Sequence, residues 1–327
     1  MKTILIPGQP TTIDIEEKVF GQEYRILAPN AKETTEISDE IWSKADAILA
    51  WHDFQYDEEL IAKLKYCKVI VRIGVGYDNV DLKAAKENKI IVCNIPDYGT
   101  NDVADHAIGL MLTLARGIYS YSENVRSRDI WDWKCAGELH RLTDSTMGII
   151  GLGRIGTATT LRAKAFGMNI VFYDPYIPDG QDKALGVRRC DKLVELLEKS
   201  DIVSIHTPLT KDTKGMADFT FFNSMKKGAI FINTARGEII ELDALTQTLR
   251  SNHLSSAGLD VLPKEPPDQN HPLIIAWRNR DPWISERLII TPHSAFYNIE
   301  SYQELRKKAA EEAKRVLEGK KPKNCVN

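Results

Sequence analysis

Residues 147–156 read MGIIGLGRIG, an apolar run that passes into a turn containing Gly151, Gly153 and Gly156. The stretch that follows, TATTLRAKAF, has a helical pattern. In such a strand, turn and helix, the first glycine permits the tight turn, the second lets backbone approach a pyrophosphate, and the third lets the helix pack on the strand. Because the helix N-terminus adds amide donors and a positive dipole, the stretch predicts a dinucleotide-binding loop.

An acidic residue lies at the distance expected beyond such a loop. The next apolar run, NIVFYD, ends at Asp174, 18 residues after Gly156. A carboxylate there can accept the ribose hydroxyls and repels a 2′-phosphate, so the pattern predicts NAD rather than NADP. The alternative is a structural glycine turn followed by an unrelated surface aspartate. Within the loop, Ile155 is expected at the cofactor, and Arg154 either meets the pyrophosphate or stays exposed.

The alternation of apolar runs and helical patterns continues through all 327 residues. Four strand-like runs, KTILI, ADAILAW, CKVIVRIG and KIIVCNI, come first, and six more lie between residues 146 and 293. This rhythm predicts parallel sheets with helices on both faces, and the length indicates two domains. We therefore expect an α/β protein with two doubly wound parallel-sheet domains.

Composition limits the environment and the partners. The formal net charge of −3 provides no cationic field for nucleic acid or an anionic membrane. No window approaches the roughly 20 apolar residues of a membrane helix, and the start MKTILIPGQP is too short for a signal peptide. The five dispersed cysteines form no Cys-x-x-Cys pair, which argues against a disulfide framework or zinc site. We expect a soluble, cytoplasmic protein without a metal.

Three ionisable residues each follow the C-terminal end of a predicted strand, the edge where open α/β sheets bind ligands. They are Arg236 in INTARG, Glu265 in LDVLPKEP and His293 in IITPHS. An arginine can hold a carboxylate through two parallel hydrogen bonds, and a histidine can exchange a proton near neutral pH. A glutamate beside the histidine would orient the ring and favour its charged form. The set suits reduction of a carbonyl next to a carboxylate, although each residue taken singly also has an ordinary structural explanation.

Several separated stretches resemble the D-isomer-specific 2-hydroxyacid dehydrogenases over nearly the whole chain, and among them chiefly the C-terminal binding protein branch. These stretches are VRIGVGYDNVD, GIIGLGRIG, LRAKAFGMNIVFYDPYIPDG, NTARG, ITPHSAFY and KNCVN. The resemblance implies an NAD-dependent oxidoreductase that interconverts a 2-oxoacid and a D-2-hydroxyacid. It also implies that Arg236, Glu265 and His293 are the catalytic residues.

The resemblance implies a domain organisation as well. A discontinuous substrate (catalytic) domain would comprise residues 1–100 and 294–327, and a Rossmann NAD-binding domain would comprise residues 101–293. A homodimer joined through the coenzyme domains is expected. The apolar surplus of the helix expected over residues 102–118 agrees with such an interface.

Further contacts follow from the resemblance alone. The substrate is expected to contact Arg72, Val75, Gly76 and Phe296 besides Arg236, and the cofactor is expected to contact Val103, His206, Thr207, Thr234, Ala235, Asp260 and His293. Arg72 has the alternative of a salt bridge at the core edge, and His206 that of a packed strand-end residue. Phe296 stands where the C-terminal binding proteins have a tryptophan, and this departure leaves the substrate undecided.

Two other functions stay open from the sequence. An NAD(H)-sensing scaffold resembling a corepressor would keep the cofactor loop without needing turnover. Phosphoglycerate or phosphite dehydrogenase chemistry would use the same fold. The phosphoglycerate reaction needs cations for a phosphate, and the sequence suggests no cluster beyond Arg72 and Arg236. The intact catalytic set favours the 2-hydroxyacid enzyme.

Overall fold

The structure is a computed structural model that describes residues 1–8 and 12–327. Its strands are β1 (Lys2–Leu5), β2 (Tyr24–Leu27), β3 (Ala47–Ala50), β4 (Val69–Arg72), β5 (Ile91–Cys93), β6 (Thr146–Ile150), β7 (Asn169–Tyr173), β8 (Arg188–Arg189), β9 (Ile202–Ile205), β10 (Ile230–Asn233), β11 (Ser256–Leu259) and β12 (Leu288–Ile290). Its α-helices are α1 (Asp14–Phe20), α2 (Asp39–Lys44), α3 (Glu58–Lys63), α4 (Leu82–Glu87), α5 (Thr100–Ala115), α6 (Ile118–Arg128), α7 (Arg154–Ala165), α8 (Gln181–Leu185), α9 (Leu193–Lys199), α10 (Phe219–Ser224), α11 (Leu242–Arg250), α12 (Pro272–Asn279) and α13 (Ile299–Leu317). Short 3₁₀ helices cover Gly21–Glu23, Thr34–Glu36, Leu142–Asp144 and Gly237–Ile239.

The chain divides into two compact units, one of residues 1–99 and 297–327 and the other of residues 100–296. Residues 294–296 therefore group with the second unit, whereas the sequence analysis assigned them to the discontinuous domain. The physical reason is visible in the backbone. The amides of Ser294 and Ala295 both donate to the carboxylate of Asp260, which belongs to the second unit.

The first unit is a five-stranded parallel sheet in the order β2-β1-β3-β4-β5. Strand β3 shows why the sheet needs cover on both faces. Ile48 packs into the cluster that contains Trp42 of α2, while Leu49 packs into the opposite cluster with Ala309 of α13. Helix α13 begins at a capping box in which the Asn298 side chain accepts from the Ser301 amide at 2.7 Å. The unit is therefore a three-layer α/β/α sandwich.

The second unit is a seven-stranded parallel sheet in the order β12-β11-β10-β9-β6-β7-β8. The chain winds outward from β6 in one direction through β7 and β8, then returns to β9 and winds the other way. The strand order thus reverses between β6 and β9. In open α/β sheets the crevice at the carboxyl ends of two such strands is the usual ligand site.

Helix α5 lies on one face of this sheet. It begins at Thr100 and ends at Ala115, and Gly117, at φ 63°, separates it from α6. One helix over residues 102–118 was expected, and the left-handed glycine explains why the helix stops. The buried side chains of α5, including Ala107 and Met111, pack in the same cluster as Ala163 of α7. The apolar side chains of this helix pack inside the second unit, so they do not themselves indicate a subunit interface.

The predicted α/β architecture with two parallel sheets is confirmed. Two edge strands were missed. Arg25 interrupts the apolar run of β2 (YRIL), and β8 consists of Arg188 and Arg189 alone. The stretch of residues 270–288 contains α12, and its two tryptophans are packed: Trp277 Nε1 donates to the Leu288 carbonyl at 3.1 Å, and Arg250 lies over the Trp283 ring.

Candidate active site

The glycine loop lies at the carboxyl end of β6, next to the end of β9. Gly151 adopts φ +89°, and a Cβ there would lie 3.0 Å from the His206 carbonyl carbon. A Cβ on Gly156 would lie 2.0 Å from the Gly151 oxygen, so helix α7 approaches the loop as closely as backbone allows. Around Gly153, by contrast, a Cβ would meet no heavy atom within 4 Å. The loop therefore has the tight turn, the close helix packing and the open approach that a pyrophosphate requires.

Asp174 directly follows β7 and reaches back to this loop. Its Oδ2 accepts from the Leu152 amide at 2.8 Å, and its Oδ1 accepts from the Tyr176 amide at 2.9 Å. The carboxylate is thereby fixed beside the glycines, where a ribose would lie. Arg154, the first residue of α7, is exposed, and Ile155 is half-buried.

Two threonines lie where the sequence analysis expected cofactor contacts. Thr207 follows β9 and Thr234 follows β10, and each hydroxyl is buried without a hydrogen-bond partner among the residues that the structure describes. Buried polar atoms are nearly always paired, so these two hydroxyls, which lie at neighbouring strand ends, are available to a ligand. Val103 of α5 is buried and Ala235 half-buried. The loop, the acid and these hydroxyls together fit a dinucleotide.

His206 stands at the end of β9 beside Gly151. Its Nε2 lies 2.9 Å from the Ser204 hydroxyl. Although the side chain retains some exposed area, burial lowers the pKa of His206 to about 4. The imidazole is therefore neutral near pH 7, which suits a residue that neighbours a cofactor and does not suit a proton donor in reduction.

The loop that carries Arg236 is braced from within and packed from outside. The fully buried Asn233 side chain accepts from the Ala235 amide at 3.0 Å and donates to the Arg236 carbonyl at 2.9 Å. A Cβ on Gly237 would lie only 1.9 Å from the Leu262 carbonyl carbon. The Arg236 loop is thus in backbone contact with the segment that leads to Glu265.

Glu265 and His293 form a direct pair. His293 Nδ1 lies 2.7 Å from Glu265 Oε2, with the side chains 35% exposed for Glu265 and 27% for His293. The other carboxylate oxygen, Oε1, accepts from the Leu262 amide at 2.9 Å. One carboxylate therefore holds both the imidazole and the segment that packs against Gly237. The structure brings Glu265 and His293 together and places the Arg236 loop against the Glu265 loop.

His293 has an unusual backbone, at φ 51°. A non-glycine residue in this left-handed region costs about 1–3 kcal/mol and persists only where its surroundings hold it. The His293 amide donates to the Asp260 carbonyl at 2.8 Å. The amide bonds from Ser294 and Ala295 to the Asp260 carboxylate hold the residues that follow. Asp260, itself 1% exposed, therefore anchors the backbone that presents the imidazole.

This anchor extends to helix α5. The Thr291 hydroxyl donates to Asp260 Oδ1 at 2.6 Å, and His106 Nε2 lies 2.9 Å from the same hydroxyl. Because the single hydroxyl proton points to the carboxylate, His106 Nε2 must be the donor to Thr291, which fixes the His106 tautomer. The expected contact of Asp260 with the cofactor stays a prediction.

The expected substrate contacts of the first unit lie at the end of β4. Arg72 is buried and donates to the Ile73 carbonyl at 2.7 Å. Its guanidinium occupies the space beside Gly74, where a Cβ would lie 1.6 Å from Nη1. Val75 and Gly76 are half-buried. Phe296 ends the second unit and is half-buried. Their roles toward substrate stay predictions.

Sequence reasoning missed the residues that support the site. Asn233 and Gly237 belong to the NTARG motif, but only Thr234, Ala235 and Arg236 of that motif were predicted to have a role. His106 and Thr291 carried no signal, because their contact joins residues 185 positions apart. No cluster of three His, Cys, Asp or Glu side chains within residues 1–8 and 12–327 is arranged to hold a metal ion. Over the same described ranges, no helix combines the length and apolar character needed to cross a membrane.

Comparison with known families identifies the class of protein. Residues 108–295 match the NAD binding domain of the D-isomer specific 2-hydroxyacid dehydrogenases. The chain belongs to this family, and its second unit contains the family's NAD-binding domain. The expected family and cofactor class are confirmed.

Two curated relatives are similar along most of the chain. C-terminal-binding protein 1 of Caenorhabditis elegans is 36% identical over 330 residues, which cover 96% of this chain and 43% of that protein. D-3-phosphoglycerate dehydrogenase of Methanocaldococcus jannaschii is 38% identical over 283 residues, which cover 86% of this chain and 52% of that protein. The chain thus spans about half the length of these relatives.

A solved structure is similar over the full length. D-lactate dehydrogenase from Aquifex aeolicus, complexed with NAD and lactic acid, is 28% identical, with a TM-score of 0.87. The match covers 97% of this chain and 96% of that one. The two-sheet architecture is therefore shared with a family member whose complex contains both a nicotinamide cofactor and a 2-hydroxyacid.

Proposed function

We propose that this protein is an NAD-dependent oxidoreductase that interconverts a 2-oxoacid and a D-2-hydroxyacid. The observation that carries the proposal is the 2.7 Å pair of Glu265 and His293, held beside the Arg236 loop in the unit that bears the dinucleotide loop. The family and the lactate complex of the relative support the chemistry, and D stereochemistry rests on the family alone.

Each member of the set has a defined role in this proposal. The Arg236 guanidinium binds the substrate carboxylate and polarises the neighbouring carbonyl. When bound, NADH supplies a hydride to the ketone carbon. His293 donates a proton from Nε2 to the developing alkoxide, because Nδ1 faces Glu265. Glu265 stabilises the imidazolium and orients its ring. In the oxidation of a hydroxyacid the imidazole accepts the proton instead.

The cofactor is expected to rest on the second unit. Backbone amides at the start of α7 would bind the pyrophosphate, with Gly153 providing the open approach, and Arg154 would add charge. Asp174 would accept the ribose hydroxyls, and the Thr207 and Thr234 hydroxyls would find their partners. Val103, Ile155, Ala235 and His206 would complete the lining. We propose Arg72, Val75, Gly76 and Phe296 as additional substrate contacts.

A panel of 2-oxoacids, assayed by the loss of NADH absorbance, tests the proposal. The panel includes a phosphorylated 2-oxoacid, because one curated relative is named a phosphoglycerate dehydrogenase. We expect turnover of at least one 2-oxoacid with NADH, a much weaker rate with NADPH, and a loss of about 10²-fold or more in His293→Ala.

Two results would contradict the proposal. Binding of NADH without turnover of any 2-oxoacid would favour an NAD(H)-sensing scaffold, the function that the similarity to C-terminal-binding protein 1 keeps in view. Full activity in His293→Ala would remove the assigned proton donor. Preferential turnover of the phosphorylated substrate would narrow the class of substrate to that of phosphoglycerate-type chemistry.

In Asp174→Asn the preference for NADH over NADPH should shrink, because the charge that repels a 2′-phosphate is gone.

We also propose a homodimer formed through the second unit in a reducing cytoplasm. Residues 118–133 expose five large apolar side chains, namely Ile118 (54%), Val125 (44%), Ile130 (36%), Trp131 (91%) and Trp133 (76%). Exposed apolar side chains of this size favour burial against a second copy. Light scattering should give twice the 36.9 kDa chain mass, and the double change of Trp131 and Trp133 to serine should give the monomer mass. The dispersed cysteines support the compartment.

A further inference from the structure

Two cysteines far apart in the sequence face each other in the first unit. Cys93, the last residue of β5, and Cys325 form an isolated antiparallel β-bridge. The amides and carbonyls that pair are those of the flanking residues, so the cysteines occupy a non-hydrogen-bonded position of the ladder. The flanking hydrogen bonds are Val326 N–H to Val92 O at 2.9 Å and Asn94 N–H to Asn324 O at 3.2 Å.

This position suits a disulfide. Directly opposed residues in non-hydrogen-bonded antiparallel pairs have Cα atoms about 4.5 Å apart, with side chains on the same face of the sheet. Disulfides span Cα separations of about 4.4–6.8 Å. The bridge between Cys93 and Cys325 is therefore of the type whose usual Cα separation falls within the range that a disulfide spans.

The two thiols differ in access. Cys93 is fully buried, whereas Cys325 is exposed. Burial above all, and then the neighbouring Glu312 carboxylate and Cys325, raises the pKa of the Cys93 thiol. A reagent in solution therefore meets Cys325 first, and Cys93 can react only with a sulfur brought to it on its partner.

We propose that Cys93 and Cys325 form a reversible thiol modification site whose co-substrate is a low-molecular-weight disulfide, such as oxidised glutathione. The Cys325 thiolate attacks one sulfur of the reagent and releases one small thiolate, which leaves a mixed disulfide on Cys325. The Cys93 sulfur then attacks Cys325 Sγ, breaks the mixed disulfide and releases the second small thiolate. Two protein thiols and one reagent disulfide become one protein disulfide and two small thiols, which carry the two protons and two electrons.

Closure would secure the segment that covers the edge of the first sheet. Strand β5 is an edge strand, and residues 324–327 pair with it. The Asn327 side chain accepts from the Val92 amide at 2.9 Å and donates to the Ile90 carbonyl at 2.8 Å. These bonds protect an edge that would otherwise be open to pairing with another chain. The disulfide would add a covalent link to this set of hydrogen bonds.

Thiol counting after unfolding tests the site independently of the proposed enzymatic activity. Incubation of the folded protein with oxidised glutathione should lower the count from five thiols to three, because one disulfide consumes two. Peptide mapping should join the peptides of Cys93 and Cys325, and dithiothreitol should restore five. Hydrogen exchange at the Val326 amide should slow in the oxidised protein, since residues 324–327 can no longer detach from β5.

Variants separate the steps. Cys325→Ser should retain all four of its thiols after treatment, and Cys135→Ser, the matched control in the second unit, should still lose two. Cys93→Ala should stop at the first step and gain the mass of one glutathione on Cys325. The proposal is overturned if the wild-type protein keeps five thiols, if Cys325 retains a mixed disulfide in the presence of Cys93, or if the cross-link contains Cys135.

Discussion

The substitution Glu265→Gln probes the proposed proton donor with little change in shape. In the structure both carboxylate oxygens accept, Oε1 from the Leu262 amide and Oε2 facing His293 Nδ1. A carboxamide has one accepting oxygen and one donating nitrogen. If its oxygen meets Leu262, its NH₂ group faces Nδ1 and opposes the imidazolium. If it turns over, the NH₂ group meets the Leu262 N–H. The variant therefore cannot satisfy both partners while the ring is charged.

The size of the effect follows from this geometry. A hydrogen bond to a charged group contributes about 1.5–3 kcal/mol, which corresponds to about 10- to 150-fold in rate if it is lost only when the imidazolium must be present. Because the two side chains are 27% and 35% exposed, water screens the pair and offers a substitute partner. We therefore expect the lower end, a fall of about 10-fold in kcat for 2-oxoacid reduction.

The loss of NADH absorbance during turnover of the best 2-oxoacid measures this change in kcat. Binding of NADH, followed by fluorescence, should stay near the parent value, because Glu265 is not among the proposed cofactor contacts. Asp268→Asn is the matched control: it removes another exposed carboxylate of the same loop and should leave kcat unchanged. A kcat within twofold of the parent in a folded Glu265→Gln protein would refute the assigned role of the pair.

Three further outcomes are expected. Burial holds the pKa of His206 at about 4, below its ordinary 6.5, so the unfolded chain takes up a proton between these values while the folded chain does not. The free energy of unfolding should therefore fall as the pH drops through this window, by up to about 3 kcal/mol from this residue. Urea unfolding at several pH values should show a shallower fall for His206→Asn. Thr234→Val should weaken NADH binding by about 3- to 10-fold in a fluorescence titration without lowering the urea midpoint, since its hydroxyl has no partner among the described residues. Thr160→Val also removes a buried hydroxyl without such a partner and should leave NADH binding unchanged. Equal losses of binding in both variants would contradict a role of Thr234 at the cofactor. His106→Leu should lower kcat about 2- to 10-fold with an unchanged KM for NADH, whereas His106→Gln, which keeps a donor near Thr291, should have the kcat of the parent protein. An equal loss of kcat in both variants would indicate a purely structural role.

Much of the fold was predictable because its signals are local. Each buried parallel strand is a continuous apolar run, and the glycine loop carries its own steric logic, which the 2.0 Å approach at Gly156 illustrates. Strands β2 and β8 escaped prediction because an arginine interrupts the apolar run of β2 and arginines make up the whole of β8. Their existence depends on a neighbour to pair with, and that neighbour is set by tertiary structure.

The site divides in the same way. Arg236, Glu265 and His293 could be proposed because strand ends converge at one edge of a parallel sheet. The contacts that fix their orientation could not be read in this way. The bond between His106 and Thr291, the bracing by Asn233 and the pairing of Cys93 with Cys325 join positions that are distant or inconspicuous in the sequence. Ordinary residues acquire such roles only through long-range contacts.

Gly237 has a consequence for attempts to change the specificity of this protein. The Leu262 carbonyl carbon lies 1.9 Å from the point that a Cβ at position 237 would occupy. The position therefore tolerates no other residue unless the Arg236 loop separates from the segment that leads to Glu265. Libraries aimed at new substrates should therefore keep position 237 constant and diversify exposed neighbours such as Lys264, whose side chain can vary without separating the Arg236 loop from the segment that leads to Glu265.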